Sequence, residues 1–469
     1  MLFSSMTFLF VFLPVTLAVY YLAPAQMRNL VMLAASLFFY AWGEPVYIIL
    51  MLLSILMNYY CGLDIDGKRN SPQLARRSLI FAVAANVLVL GFFKYYGLIM
   101  ETVNGTLPVD IPYRVLPLPI GISFYTFQAL SYIVDVYRGE ARAQKKFTWF
   151  ASYICMFPQL IAGPIIRYVD IEEQLRQRSF GIVKFGRGAM FFIRGLAKKV
   201  VIANSIGTVY EQVMQLPVGT VSVLTSWVGC LAYAFQIYFD FSGYSDMAVG
   251  LGKMFGFEFR RNFHYPYVSK SITEFWRRWH ISLSTWFREY VYIPLGGNRC
   301  GGQRNMVNLI LVWALTGLWH GAEWNFLLWG LYYGVLLILE KHVWGALMDR
   351  LPGVIQHIYT FVLVMVGWVF FFSPDLGSAL DYIGMMFGMG ASAPDRQAVF
   401  LLTTHWLLFL LCILGSSSIG WTILRAFMES YKKGRTQRIM SCVIYMGIFL
   451  VSVAFLVTET FNPFLYFRF

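Results

Sequence analysis

Leu2-Phe-Ser-Ser-Met-Thr-Phe-Leu-Phe-Val-Phe-Leu-Pro-Val-Thr-Leu-Ala-Val-Tyr-Tyr-Leu22 opens the chain without a single charged side chain. A helix needs roughly 20 apolar residues to cross about 30 Å of hydrocarbon, and this run has that length. It lacks a basic start and an A-x-A-like end, so it reads as a retained span and not as a cleaved signal. Outward from it, apolar runs recur at 29–42, 45–60, 78–98, 115–137, 147–166, 219–240, 305–320, 325–342, 354–373, 398–419 and 439–458. Proline and glycine interrupt 115–137 and 147–166, and such breaks are tolerated at membrane depth only where protein or a water-filled cavity covers the backbone. Composition agrees: 58% of residues are hydrophobic and 13% charged, against about 25% charged in soluble domains. A water-soluble globule of this size could not hide that apolar surface. The expectation is one all-helical polytopic membrane domain over residues 1–469, with about eleven crossings plus re-entrant and interfacial helices.

The net charge of +13 would suggest nucleic acid in a soluble protein. Its distribution argues for topology instead. Of 37 basic residues, 30 fall in 62–77, 138–199, 253–304 and 425–438, between apolar runs, as cytoplasmic loops do under the positive-inside rule. The N-terminus and 99–112 are then expected outside. The six cysteines never approach a C-x-x-C spacing, so neither a zinc site nor a disulfide framework is implied.

Ionisable groups near membrane depth are costly, so the exceptions point to chemistry. His320 sits in Leu311-Val-Trp-Ala-Leu-Thr-Gly-Leu-Trp-His-Gly-Ala-Glu-Trp-Asn325, at the break between two apolar runs. Gly317 and Gly321 flank it, leaving room for backbone or substrate, and an imidazole can take and return a proton near neutral pH. A buried histidine that only joins helices is the bland alternative. Residues 270–290 read as one amphipathic interfacial helix. Ile272, Trp276, Trp279, Leu283, Trp286, Phe287 and Tyr290 share a face opposite Glu274, Arg277, Arg278 and Arg288, with His280 at the edge of the apolar stripe. Asp240 and Asp246, in Tyr238-Phe-Asp-Phe-Ser-Gly-Tyr-Ser-Asp246, either orient a histidine or cap a helix. The glycine-rich loop 296–304, with Asn298 and Arg299, is either a plain loop or a holder for a phosphate-bearing donor.

Six motifs follow in order: Pro119-Ile-Gly-Ile-Ser-Phe-Tyr125, Ile161-Ala-Gly-Pro164, the Tyr238–Asp246 segment, Phe275-Trp-Arg-Arg-Trp-His-Ile-Ser-Leu-Ser284, Tyr292-Ile-Pro-Leu-Gly-Gly-Asn-Arg299 and Gly317-Leu-Trp-His-Gly321. Together they resemble the membrane-bound O-acyltransferase family, in its branch of bacterial alginate O-acetyltransferases. The opening Met1–Ser5 and the ending Phe464–Phe469 are similar to that branch as well. The resemblance implies a multi-pass protein of the bacterial inner membrane with a central tunnel. It makes His320 the essential histidine and His280 the second; beside them, Asp240, Asp246, Trp319 and Glu323 are the candidates for support, and Arg277, Arg278, Asn298 and Arg299 those for the donor. Acetyl-CoA enters as donor substrate from the cytoplasm, with no bound cofactor and no metal. The implied partners are a periplasmic acetyltransferase of the serine-esterase type, the exopolysaccharide machinery and membrane lipid, without nucleic acid. Two features depart from the pattern: the chain is shorter than those enzymes after residue 340, and Glu323 places an acid one turn from His320. The first leaves the polymer open between alginate, cellulose and other exported glycans. D-alanyl transfer of the teichoic-acid type and a glycan or acyl channel without chemistry are the alternatives.

Overall fold

The computed structural model describes residues 1–107, 110–114, 116–161, 163–217, 220–390, 394–420, 422, 423, 426, 434–458 and 465. Most of the basic stretch 425–438 and of the ending 464–469 lies outside the described residues. Among the described residues the elements are helices, with no strand. They pack into two compact units, Met1–Phe192 with Ser245–Arg261, and Ile193–Tyr244 with Asn262–Phe469.

In the first unit the opening run forms a π-helical turn, Phe8–Phe12, that leads into α1 (Leu13–Leu22). Pro14 at the start of α1 has no N–H to give, and the wide turn ahead of it accommodates that loss. The Gly43-Glu44-Pro45 break separates α2 (Arg28–Gly43) from α3 (Ile48–Gly67), as its residues dictate. Next, α4 (Pro72–Thr106) begins on a proline, favoured in a first helical turn. It is tied to α3 by reciprocal amide hydrogen bonds of 3.1 and 2.8 Å between buried Asn58 and Asn86. The expected run 147–166 is broken into Phe147–Cys155 and Phe157–Leu160, the second starting around Pro158.

Five described helices are long and apolar enough to cross a bilayer: Ile48–Gly67, Pro72–Thr106, Trp324–Met348, Gly353–Phe372 and Thr436–Thr458. Arg396–Thr404 and Trp406–Gly415, bent by 70° to each other, make a sixth if counted as one span. The chain is therefore a multi-pass membrane protein. The other expected crossings fall in helices that are shorter, broken or less apolar.

The second unit holds the histidines. Its framework is the first part of α5 (Val223–Met254), then α6 (Ile272–Arg278), α7 (Ile281–Phe287), α8 (Gly302–His320), α9 (Trp324–Leu339) and α10 (Gly353–Phe372). The helices α8 and α9 cross at two glycines. A Cβ on Gly317 would run into the Phe326 carbonyl, and one on Gly330 into the Trp313 carbonyl. Small residues at such crossings let backbones approach closely inside a membrane.

The single helix expected over 270–290 is two helices. The predicted apolar face is present, since Ile272, Trp276, Trp279, Leu283, Trp286 and Phe287 are all buried while Arg277 and Arg288 are exposed. The rod is not, because the chain turns at Trp279–His280. The carboxylate of Glu340, itself buried, anchors the start of α6 by accepting from Ile272 N (2.6 Å) and from Thr273 N and Oγ1 (both 2.9 Å). Ser271 caps the same helix, its hydroxyl accepting from Glu274 N at 3.0 Å.

Candidate active site

His320 is the last residue of α8 and is 5% exposed. Three rings pack on its imidazole: Trp319 at 4.9 Å, Trp329 at 4.9 Å and Phe371 at 5.2 Å between centroids, all edge-on. The glycines beside it admit protein and not substrate. Gly317 receives the backbone of α9, and the Phe326 ring fills the space where a Gly321 Cβ would stand.

His280 is not at the edge of a stripe but 1% exposed, in the break between α6 and α7. It holds φ 43° and ψ 54°, the left-handed region, which costs a non-glycine residue roughly 1–2 kcal/mol. Such strain persists only where surrounding bonds over-determine it, and here Asn262 supplies them. Its carbonyl accepts from Ile281 N at 2.9 Å, and its side-chain oxygen accepts from Ser282 N at 3.0 Å and Ser282 Oγ at 2.9 Å. On the other side of the break, His264 N donates to Arg278 O at 2.9 Å. The His280 ring packs on Phe241 at 4.7 Å, Trp319 at 6.1 Å and Phe263 at 6.4 Å. The indole of Trp319 therefore touches both imidazoles, which is how the structure brings the two histidines into one site.

Burial pushes the His280 imidazole down to about 3 from its ordinary 6.5. The folded protein keeps this ring neutral, while the unfolded chain takes up a proton below about pH 6.5. The stability linked to it is complete above that pH and is lost as pH falls toward 3, at about 1.4 kcal/mol per unit. Between pH 7 and pH 5, native protein should lose about 2 kcal/mol more than His280→Gln, read as melting temperatures in detergent. Equal losses would contradict a neutral buried ring.

Of the predicted supporting acids, Asp240 is committed to a buried ion pair with Lys199 at 2.7 Å, both side chains under 4% exposed, and its other oxygen accepts from Leu465 N at 2.9 Å. Lys199 also donates to Asn204 Oδ1 at 3.0 Å. It is thus part of the interior and not of the solvated basic stretch 138–199. Asp246, farther along α5, belongs to the first unit. Glu323 stands exposed at the start of α9 and is not buried against His320.

Of the residues expected toward a donor, Arg277 lines a cavity of about 380 Å³. Arg288 and Tyr292 share its lining with Trp276, Leu283, Trp313 and Thr316, giving a mostly apolar chamber with guanidinium groups at its edge. Arg278 is instead paired with Glu274 at 2.7 Å. Asn298 closes the glycine-rich loop, its side-chain oxygen accepting from Tyr292 OH and Lys341 Nζ, both at 2.7 Å. Arg299 is exposed. Among the described residues no group of three or more His, Cys, Asp or Glu side chains could hold a metal ion.

Sequence reasoning missed Lys199, Asn262, Glu340 and Trp329. A buried lysine inside a basic stretch has no local signature, and Asn262 lies well upstream of the histidine it braces. Glu340 did carry a signal: an acid ending the apolar run 325–342 violates the same rule that singled out His320.

The family model of the membrane-bound O-acyltransferases matches residues 138–373, which include both histidines and every other predicted site residue. "Probable alginate O-acetylase AlgI" of Azotobacter vinelandii is 45% identical over 399 residues, covering 83% of this chain and 79% of that protein. A protein of the same name in Pseudomonas putida is 38% identical over an alignment of 497 positions that spans both chains completely. "Peptidoglycan O-acetyltransferase" of Helicobacter pylori is 35% identical over 425 residues, covering 83% of this chain and 80% of that one. Matches of this extent and identity, over the segment in which one indole joins two buried histidines, show that the chain belongs to the membrane-bound O-acyltransferase family, beside relatives named as O-acetylating enzymes.

Proposed function

We propose that this protein takes acetyl groups from cytoplasmic acetyl-CoA and passes them across the bacterial inner membrane for O-acetylation of an exported polysaccharide, alginate-like before cellulose or other glycans. The observation that carries the reading is the shared site: His320 and His280, both buried and both packed on Trp319. His320 is the general base. It removes the proton of an acceptor hydroxyl as that oxygen attacks the thioester carbonyl carbon. When the tetrahedral adduct collapses, the carbon–sulfur bond breaks and the departing thiolate takes up the proton that His320 carried. His280, neutral because it is buried, orients groups by hydrogen bonding and is not a proton donor.

The cavity beside Arg277 and Arg288 suits a donor with anionic phosphates and a less polar arm, the guanidinium groups meeting phosphate and the tryptophan-lined interior meeting the arm. CoA is an anion and does not cross lipid, so the reading needs about eleven crossings around a tunnel that opens toward the basic loops. The acceptor on the far side is a periplasmic partner of the serine-esterase type, which hands the acetyl group to the polymer. Relatives named alginate O-acetylase and peptidoglycan O-acetyltransferase support acetyl as the group moved.

The test is CoA thiol release by purified protein given acetyl-CoA and an uronate oligosaccharide or the partner enzyme. Thiol release above the protein-free rate is expected, with acetyl esters appearing in step. Thiol release at the protein-free rate, with acetyl esters still formed in cells from another donor, would overturn acetyl-CoA as the substrate.

A further inference from the structure

Acyl transfer through a tetrahedral adduct puts negative charge on the former carbonyl oxygen, and enzymes meet that charge with a fixed hydrogen-bond donor in a dry site. Among the rings packed on His320 are those of Trp319, Trp329 and Phe371. Phe371 has no donor, and Trp319 is shared with His280. Trp329 is 1% exposed, and its indole Nε1 has no hydrogen-bond acceptor among the described residues. A buried N–H left unmatched costs about 1–3 kcal/mol, and buried donors in native proteins are nearly always paired. The buried indoles of Trp276 and Trp368 are likewise unmatched among the described residues, but that of Trp329 belongs to a ring edge-on to the candidate base, at an 82° interplanar angle. Its ring is clamped by Trp276 at 5.5 Å, Tyr333 at 5.3 Å and Phe371 at 5.3 Å. The rotamer is thus fixed before substrate arrives, as preorganisation requires.

We propose that the Trp329 indole N–H is the oxyanion donor of this site, a catalytic residue in addition to the two histidines. The inference rests on the reading of His320 as base. As the acceptor oxygen bonds to the carbonyl carbon, the π electron pair moves onto the carbonyl oxygen and the Trp329 N–H hydrogen-bonds to it. When the carbon–sulfur bond breaks, the pair returns to re-form the carbonyl and the hydrogen bond weakens. No proton leaves the indole. The donor is matched only while the adduct exists, so its effect falls on kcat and not on binding of acetyl-CoA.

Trp329→Phe deletes the N–H and keeps an aromatic ring. A second variant carries 3-benzothienylalanine at 329, which keeps the indole outline and replaces the N–H by sulfur. Purified proteins are compared for CoA release with acetyl-CoA and the acceptor, alongside native protein and His320→Gln. Both variants should lose 10²–10³-fold in kcat with KM for acetyl-CoA within threefold of native. The benzothienylalanine protein decides the matter if Trp329→Phe does not fold. Native-like kcat in that protein, or a raised KM at unchanged kcat, would overturn the inference. Native release that survives in His320→Gln would instead sink the base reading, so the two failures are distinguishable.

Discussion

His320→Gln should lower acetyl transfer by 10²–10⁴-fold, the usual contribution of a positioned general base, while the amount of folded protein stays near native. The amide is close to imidazole in size and keeps hydrogen-bonding groups, so the pocket of Trp319, Trp329 and Phe371 remains filled. An amide cannot accept a proton at neutral pH, so the chemistry has no substitute. His280→Gln should be milder, because a buried neutral ring acts through hydrogen bonds that an amide partly reproduces. Polymer acetate content in cells carrying each variant at matched protein levels reads the difference. Wild-type acetylation by His320→Gln would remove the base and favour a channel without chemistry. Equal, complete loss in both variants would mean that the two histidines share the proton transfer.

Lys199→Met should destabilise the fold by about 3–5 kcal/mol, because it leaves the Asp240 carboxylate buried and unpaired. The double variant Lys199→Met, Asp240→Asn should recover at least half of that loss. It removes the stranded charge and keeps an oxygen for Leu465 N to donate to. Both are read as melting temperatures of detergent-solubilised protein. A single variant as stable as the native protein would show that the pair contributes nothing to the fold. A double variant no better than the single would show that the lost lysine packing, and not the stranded carboxylate, is what matters.

What was legible depended on how local the cause was. The face of 270–290 could be read, because burial of Trp276, Trp279 and Trp286 follows from helical spacing alone. The break at His280 could not. Neither Trp279 nor His280 is the glycine or asparagine that usually announces left-handed backbone, and the turn is imposed by Asn262 and His264 from upstream. The proline and glycine breaks near residues 44 and 158 appeared where those residues demand them. His320 was visible as an ionisable group at an apolar break, and of the two occupants its flanking glycines left open, backbone or substrate, Gly317 takes backbone. Gly317 serves the crossing with α9, which depends on Gly330 on the facing helix, and no spacing rule names that partner. Asp240 was visible as an acid at the end of an apolar run, but its counter-ion lay hidden among the other basic residues of 138–199, all of which look alike as charges.

The central claim is sided acetyl transfer through His320. Proteoliposomes carrying the protein with its basic loops facing outward, loaded inside with acceptor and supplied outside with acetyl-labelled CoA, test it most directly. The account predicts acetyl esters on the enclosed acceptor, free CoA thiol outside in equal amount, and neither with His320→Gln. Label that remains outside on CoA while native protein is folded and the acceptor is enclosed would contradict it.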